Sequence, residues 1–376
     1  MSQILINIFT PQELNHSSYI QTGLFELEKE SFLKTKVKLS FSKRLGTIRI
    51  EEKKITETQQ PHPKTSFYQL IDTKSGKTIN FATDLYDAST SFSKYALEHC
   101  DYVFKRNFEA KHIEVLPIEY QKKIVSLGLT FGCHSASKKA WHKFFIGFVL
   151  TNIRLNLKFD SYFVTRLKKK LKLVDSHWKF INTSRLIESF EVKSAIENNQ
   201  DILFQTRCFA SEEQKDVQEI HLQRYRIIQS LRERFGNQFK GGFIPSEVAQ
   251  SKYPKALTNL PTDPESYLTL VKNSKVVIYT RGLIYSPAWK MAEYLSQGKV
   301  IIAEKLTTEL PVPLENGREV LFFQEENELI PLIEKVLEDS QLSKTLSQNA
   351  KKYFETHVHP KANMRRIITF MLDQNT

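Results

Sequence analysis

Over roughly residues 1–135, short apolar runs at Ile4–Phe9, Lys36–Phe41, Thr47–Ile50 and Thr78–Ala82 alternate with polar turns and with stretches of helical spacing. Runs of that length predict strands, and their alternation with helical patterns predicts an α/β sheet. After Thr78–Ala82 comes TDLYDAST, which sets Asp84 and Asp87 just past the C-terminal end of a strand. Open parallel sheets place their ligands at that edge. A helix opening near Ser89 or Ser91, with a hydroxyl available as its N-cap, runs to His99. CDYVFKRNF then reads as a further strand, followed by Lys105 and Arg106, which either meet a phosphate or, the favoured reading, are solvated.

The pattern is clearer from residue 198 onward. Ile202–Thr206 has the continuous apolarity of a buried strand, and Val217–Phe235 carries Ile220, Tyr225, Ile227, Ile228 and Leu231 at helical spacing before Gly236. Gly241–Gly242 lacks a GxGxxG context and reads as a turn. Pro264–Lys272 is helical, Val276–Tyr279 a strand, Ala288–Ser296 a helix closed by Gly298, and Val300–Ala303 a strand. Helices follow at Glu328–Asp339, Leu342–Phe354 and after Pro360. Strands and helices in such alternation imply right-handed crossovers and a parallel sheet. The expected division is 1–190 and 198–376.

Between them, residues 138–180 break the pattern. Trp141, Phe144, Phe145, Ile146, Phe148, Val149 and Leu150 are followed by Arg166, Lys168, Lys169, Lys170 and Lys172. Two readings fit: an interfacial element on anionic headgroups, or a helix packed on a sheet with its lysine stems reaching out to water.

Composition changes the picture only in part. The 376 residues suffice for two domains with cores of their own, and 40% hydrophobic with 26% charged residues is a globular balance. Three cysteines, Cys100, Cys133 and Cys208, stand far apart in no disulfide or zinc spacing, which suits a reducing compartment. MSQILINIFT has no charged n-region or cleavage site, and no window of about 18 apolar residues occurs. A cytoplasmic protein is expected, with peripheral contact at the inner face of a membrane if 138–180 is interfacial. A net charge of +12 attracts nucleic acid, anionic lipid and phosphorylated substrates alike.

The densest chemistry lies in SKVVIYTRGLIYSPAWKMAEYLSQGKVIIAE, Ser274 to Glu304. A strand ends at Tyr279, a loop carries Arg281, Gly282 and Ser286, and a helix opens near Pro287 with Ser286 as N-cap. Such a junction offers backbone N–H groups and the positive end of a helix dipole to a diphosphate. Lys290 and Glu293, three apart, share one helix face. Lys290 would neutralise phosphate and Glu293 would accept from ribose or sugar hydroxyls; the alternative is a surface ion pair.

Arg281–Gly282, the Ser286 loop, the helix KMAEYLSQGK, the strand VIIAE, the stretch ELPVPLENGREVLFF and the terminal helices resemble the C-terminal domain of GT-B, group 1-like glycosyltransferases, the family 4 and exostosin-like enzymes. ILFQTRCF, with Arg207, and the helix ending RERFG resemble the first strand and helix of that domain. The resemblance implies a GT-B architecture, two Rossmann-like domains facing a cleft, with nucleotide sugar held by Arg207, Arg281, Gly282, Ser286, Lys290 and Glu293. Many retaining members carry ExxxxxxxE; here Tyr285 stands at the first position before Glu293. A basic residue three before the glutamate is similar to exostosin-type inverting enzymes, which have arginine there. The stereochemical outcome is open.

An inverting enzyme needs a base near the acceptor hydroxyl, and Asp84, Asp87 and His16, in HSSY after the first strand, are the candidates. Helix capping is the alternative for either aspartate. The expected activity is that of a metal-independent, cofactor-free hexosyltransferase acting on a cell-surface glycan of polysaccharide or lipopolysaccharide type, carried on lipid. A basic nucleic-acid-binding protein and a GT-B-like nucleotide-sugar epimerase are the other readings. No RNP-like, helix-turn-helix or zinc-finger spacing supports the former.

Overall fold

The chain folds as two α/β units, 1–187 with 308–311 and 359–376, and 188–307 with 312–358. The computed structural model describes residues 3–40, 42–137, 141–154, 161–182, 185–191 and 201–374.

The first unit begins with β1 (Ile4–Thr10), α1 (Leu14–Lys29), β2 (Lys34–Leu39), β3 (Thr47–Glu51), β4 (Lys54–Thr58), β5 (Thr65–Asp72), β6 (Thr78–Asp84) and β7 (Ser91–Ser93). It continues through α2 (Lys94–His99), β8 (Tyr102–Lys105), the single turns α3 (Ala110–Ile113) and α4 (Ile118–Gln121), β9 (Ile124–Ser126), α5 (Trp141–Arg154) and α6 (Phe163–Ile181). Among the described residues its main sheet has six strands in the order β2-β1-β5-β6-β8-β9, beside a smaller β4-β3-β7 sheet. The expected α/β sheet is present, with one strand reversed. β5 runs antiparallel to both β1 and β6, because residues 73–77 close a hairpin in which Asp72 accepts from Lys74 N and Ser75 Oγ. The other five strands run one way, so Thr10, Asp84 and Lys105 all end at one edge.

Ser91–Ser93 is a strand paired with β3, not the start of a helix. The helix opens two residues later, with Ser93 Oγ accepting from Ala96 N. Phe41, the end of one expected strand, lies outside the described residues.

After α7 (Ile187–Phe190), the second unit contains β10 (Ile202–Arg207), α8 (Lys215–Phe235), β11 (Phe239–Ile244), α9 (Glu247–Lys252), α10 (Pro264–Asn273), β12 (Val276–Tyr279) and α11 (Trp289–Ser296). β13 (Val300–Glu304), β14 (Leu321–Phe323), α12 (Leu329–Glu338) and α13 (Ser340–Tyr353) follow. Its sheet is wholly parallel, in the order β11-β10-β12-β13-β14. Ile202, Ile228, Val276, Ile302 and Ile333 are buried in its core. Gly241–Gly242 is not a turn but part of β11. Added Cβ atoms would collide with the Phe204 carbonyl at Gly241 and come within 2.5 Å of Ala256 O at Gly242, so the strand takes glycine where its neighbours crowd it.

α14 (Pro360–Asp373) belongs to the first unit, whereas the division expected from the sequence places all of 198–376 in one domain. Its apolar stripe has the same periodicity whichever unit it covers. It packs on α1, where a Cβ at Gly23 would lie against the Pro360 carbonyl and 2.5 Å from Met364 Cγ. Asn363 Nδ2 donates to Tyr19 Oη (3.1 Å) and Leu127 O (3.0 Å).

Candidate functional site

In the second unit the strand order reverses between β10 and β12, which is where doubly wound sheets open a crevice at their carboxyl ends. The β10–β12 ladder is short, pairing Ile202 with Val276 and Leu203 with Val277. Beyond it two cations take the place of a strand. Lys290 Nζ donates to the Gln205 carbonyl, and Arg224 Nη1 to the Arg207 carbonyl at 2.9 Å. Arg224 also donates to Thr280 Oγ1 (3.2 Å) and Arg281 O (3.0 Å), joining the ends of β10 and β12.

Four basic side chains thus gather at the reversal: Arg207, Arg224, Arg281 and Lys290. Burial lowers the Arg224 pKa to about 10, and neighbouring Arg207 pushes in the same direction. Burial takes Lys290 down to about 7, with Arg224 and Arg207 adding to the drop and Glu293 opposing it. Lys290 Nζ also sits 4.8 Å over the Tyr267 ring. Glu293 is buried on the same helix. A site whose cations repel one another is stabilised by an anion.

Arg281 is placed differently from expectation. It pairs with Asp216 (2.6 Å) and lies 3.6 Å from Glu304, whose other oxygen accepts from Arg281 N at 2.9 Å. Its charge is therefore met by carboxylates, and it fixes the loop over Tyr285 instead of standing open to a ligand. Asp216 also accepts from Ile284 N (2.9 Å), holding Ile284 and Tyr285 at φ of 51° and 55°. Left-handed backbone is costly for a β-branched residue. Gly282 leaves room for Ser286, whose Oγ would lie 2.7 Å from an added Cβ. Ser286 does not cap α11; Ala288 occupies that position, and its N–H donates to Tyr279 Oη at 2.9 Å.

In the first unit, His16 lies in the opening turn of α1, and its Nδ1 contacts Glu13 Oε2. Asp87 pairs with Lys64 at 2.7 Å and with Arg106. Burial alone would raise the Asp87 carboxyl, but Arg106 and Lys64 outweigh it and hold it below the usual range. Burial likewise opposes ionisation of Glu13, and His16, His177 and Lys64 overcome it. These interactions bring Glu13, His16, Lys64, Asp87 and Arg106 together beyond the strand ends.

Asp84 is corrected as a base. It is fully buried at the end of β6 and pairs with Lys105 at 3.0 Å, so it is closed off from solvent. Lys105 and Arg106 are buried, not solvated. Lys105 Nζ also donates to Ala88 O (3.1 Å) and Ser91 O (2.7 Å), which offsets the cost of its burial. Neither Asp84 nor Asp87 caps α2, whose cap is Ser93.

Arg224, Asp216 and Glu13 join these groups in the fold without standing out in the sequence. Arg224 sits in a charged helix among RYR, indistinguishable there from a surface arginine. Glu13 precedes His16 by three residues, the spacing of helix neighbours, and that was its available signal.

A doubly wound parallel sheet with cations at its reversal point is the architecture of nucleotide-type α/β domains. Residues 223–369 match the family described as glycosyl transferase-like, so the resemblance to group 1-like glycosyltransferases stands for this region. No curated protein matches the sequence. Similar solved structures include Anabaena HepE in complex with UDP and glucose, at 12% identity over 74% of this chain and 64% of that one, TM-score 0.40. This chain thus covers less than two thirds of that HepE chain. A glycosyltransferase from Rickettsia africae is 13% identical over 72% of this chain and 62% of that one, TM-score 0.38. A Listeria monocytogenes structure described as a candidate UDP-N-acetylglucosamine 2-epimerase is 9% identical over 98% and 96%, TM-score 0.46.

Proposed function

We propose that the chain is a metal-independent, cofactor-free glycosyltransferase, and that the second unit binds the nucleotide-sugar donor. The observation that carries this reading is the cluster of Arg207, Arg224 and Lys290 at the reversal between β10 and β12, beside buried Glu293. The three cations stabilise the charge that grows on the departing diphosphate as the C1–O bond breaks. Glu293 accepts from the ribose hydroxyls. Arg281, already met by Asp216 and Glu304, orders the loop.

The first unit is assigned the acceptor. His16, with Glu13 holding its Nδ1 side, takes the proton from the acceptor hydroxyl as the new C1–O bond forms. Asp87 is too strongly paired with Lys64 and Arg106 for that task. The acceptor is a cell-surface glycan of polysaccharide or lipopolysaccharide type, glycosylated on the cytoplasmic side.

Calorimetry with UDP, GDP, CMP and dTDP and their sugar conjugates tests the donor site. One nucleotide binds saturably, and Glu293→Ala weakens it tenfold or more with the fold intact. Wild-type affinity in Glu293→Ala sinks the ribose assignment. Product analysis that finds only an isomerised nucleotide sugar turns the reading to an epimerase.

A further inference from the structure

The α5–α6 pair presents a surface that the transferase reading does not use. α5 covers β1 and β2 with buried Phe144 and with Gly147, whose lack of a Cβ admits Thr10 Oγ1. α6 buries His177 and Ile181. Away from these faces, Val164, Leu167, Leu171 and Trp178 form one stripe along α6, with Val164 and Leu171 each 58% exposed and Trp178 54% exposed. On α5, Ile146 and Leu150 are exposed one turn apart. Phe145 and Trp178 pack edge to face at 5.5 Å, linking the apolar surfaces of the two helices.

Exposed lysines flank this apolar surface: Lys168, Lys169 and Lys172 on α6, and Lys143 on α5. Asp175, the one acid in the sequence of α6, is paired with Lys179 at 2.7 Å. The sequence of α5 contains no acid. Apolar side chains bordered by cations are the pattern of a helix lying in the headgroup region. Among the described residues no helix is long and apolar enough to cross a membrane. We propose that α5 and α6 seat the first unit on the surface of an anionic lipid bilayer, apolar stripe in the acyl boundary and lysines among the headgroups. The excess of positive charge selects an anionic bilayer over a second copy of this equally basic chain. The inference stands whether or not the donor assignment holds.

The experiment is co-sedimentation of the full chain with phosphatidylcholine vesicles, with and without phosphatidylglycerol. Binding is expected to the anionic vesicles and to weaken with salt. The triple variant Lys168→Glu, Lys169→Glu, Lys172→Glu is expected to lose binding about tenfold or more, and Leu167→Ser with Leu171→Ser to reduce it as well. All these side chains are exposed, so an unchanged circular dichroism spectrum and melting temperature accompany the loss. Binding equal on neutral and anionic vesicles, or unaltered in both variants, overturns the proposal. So does a wild-type dimer that Leu171→Ser dissolves, since the stripe then pairs two copies.

Discussion

Lys290 is the residue on which the proposed donor site turns. Buried beside Arg224 and Arg207, its ammonium has a pKa of about 7 in the folded chain, against an ordinary value of 10.5. Below pH 7 it is charged in both folded and unfolded chains; between 7 and 10.5 the unfolded chain holds more protons, so this group adds stability as pH rises. Diphosphate binding has the opposite sign, because the anion favours the ammonium. Nucleotide affinity is therefore expected to fall about tenfold per pH unit above 7, with proton uptake visible when calorimetry is repeated in buffers of different ionisation enthalpy. Lys290→Met should bind weakly at pH 6 and lose that slope; a slope that survives the substitution removes Lys290 from the site. On the acceptor side, His16→Ala should lower kcat about a hundredfold with donor affinity unchanged. Glu13, proposed to position His16, should behave differently: Glu13→Gln lowers kcat more than it alters KM, and Glu13→Asp restores part of it. Equal loss in Gln and Asp variants would make Glu13 a structural residue only.

At the scale of elements, close approach explains features that apolar periodicity does not reveal. β11 carries Gly241 and Gly242 inside a strand because the Phe204 and Ala256 carbonyls occupy the space of their side chains. α1 and α14 meet at Gly23 for the same reason. Gly23→Val is expected to destabilise the first unit by about 1–3 kcal/mol, the usual cost of overpacking, read as a lower urea midpoint; an unchanged midpoint would show that the two helices can part without loss. Periodicity did find the elements of the second unit: Val276–Tyr279 and Val300–Ala303 are apolar throughout because both sheet faces are covered. It did less for the first unit. β5 does not stand out in the sequence, and its antiparallel pairing is not visible there, since an apolar run has no direction. Of the candidate site, the strand end at Arg207 and the shared helix face of Lys290 and Glu293 are visible in the sequence. Charge partnership was not legible: Asp84, Lys105 and Arg281 are equally polar in sequence, and their burial and pairing come only with the fold.

At the scale of the molecule, the chain leaves its second unit at residue 308, returns at 312, and leaves again at 359. The transferase-like match runs to residue 369 and so extends into a helix that belongs to the other unit. α14 has two consequences. Its buried residues, among them Met364, Ile367 and Met371, complete the first unit from the far end of the sequence, so that unit is finished only after the second has been synthesised. A substitution within the matched region can therefore act on the unit outside it. Ile367 is fully buried, and Ile367→Ala is expected to cost about 2–5 kcal/mol. Limited proteolysis with mass spectrometry locates that cost. In the variant, cleavage should rise first within residues 1–187, while 201–307 and 312–358 remain protected and nucleotide still raises their protection. Cleavage that appears first around β10–β13 would mean that α14 supports the donor unit, and the sequence division at 198 would then describe the cooperative units better than the packing does.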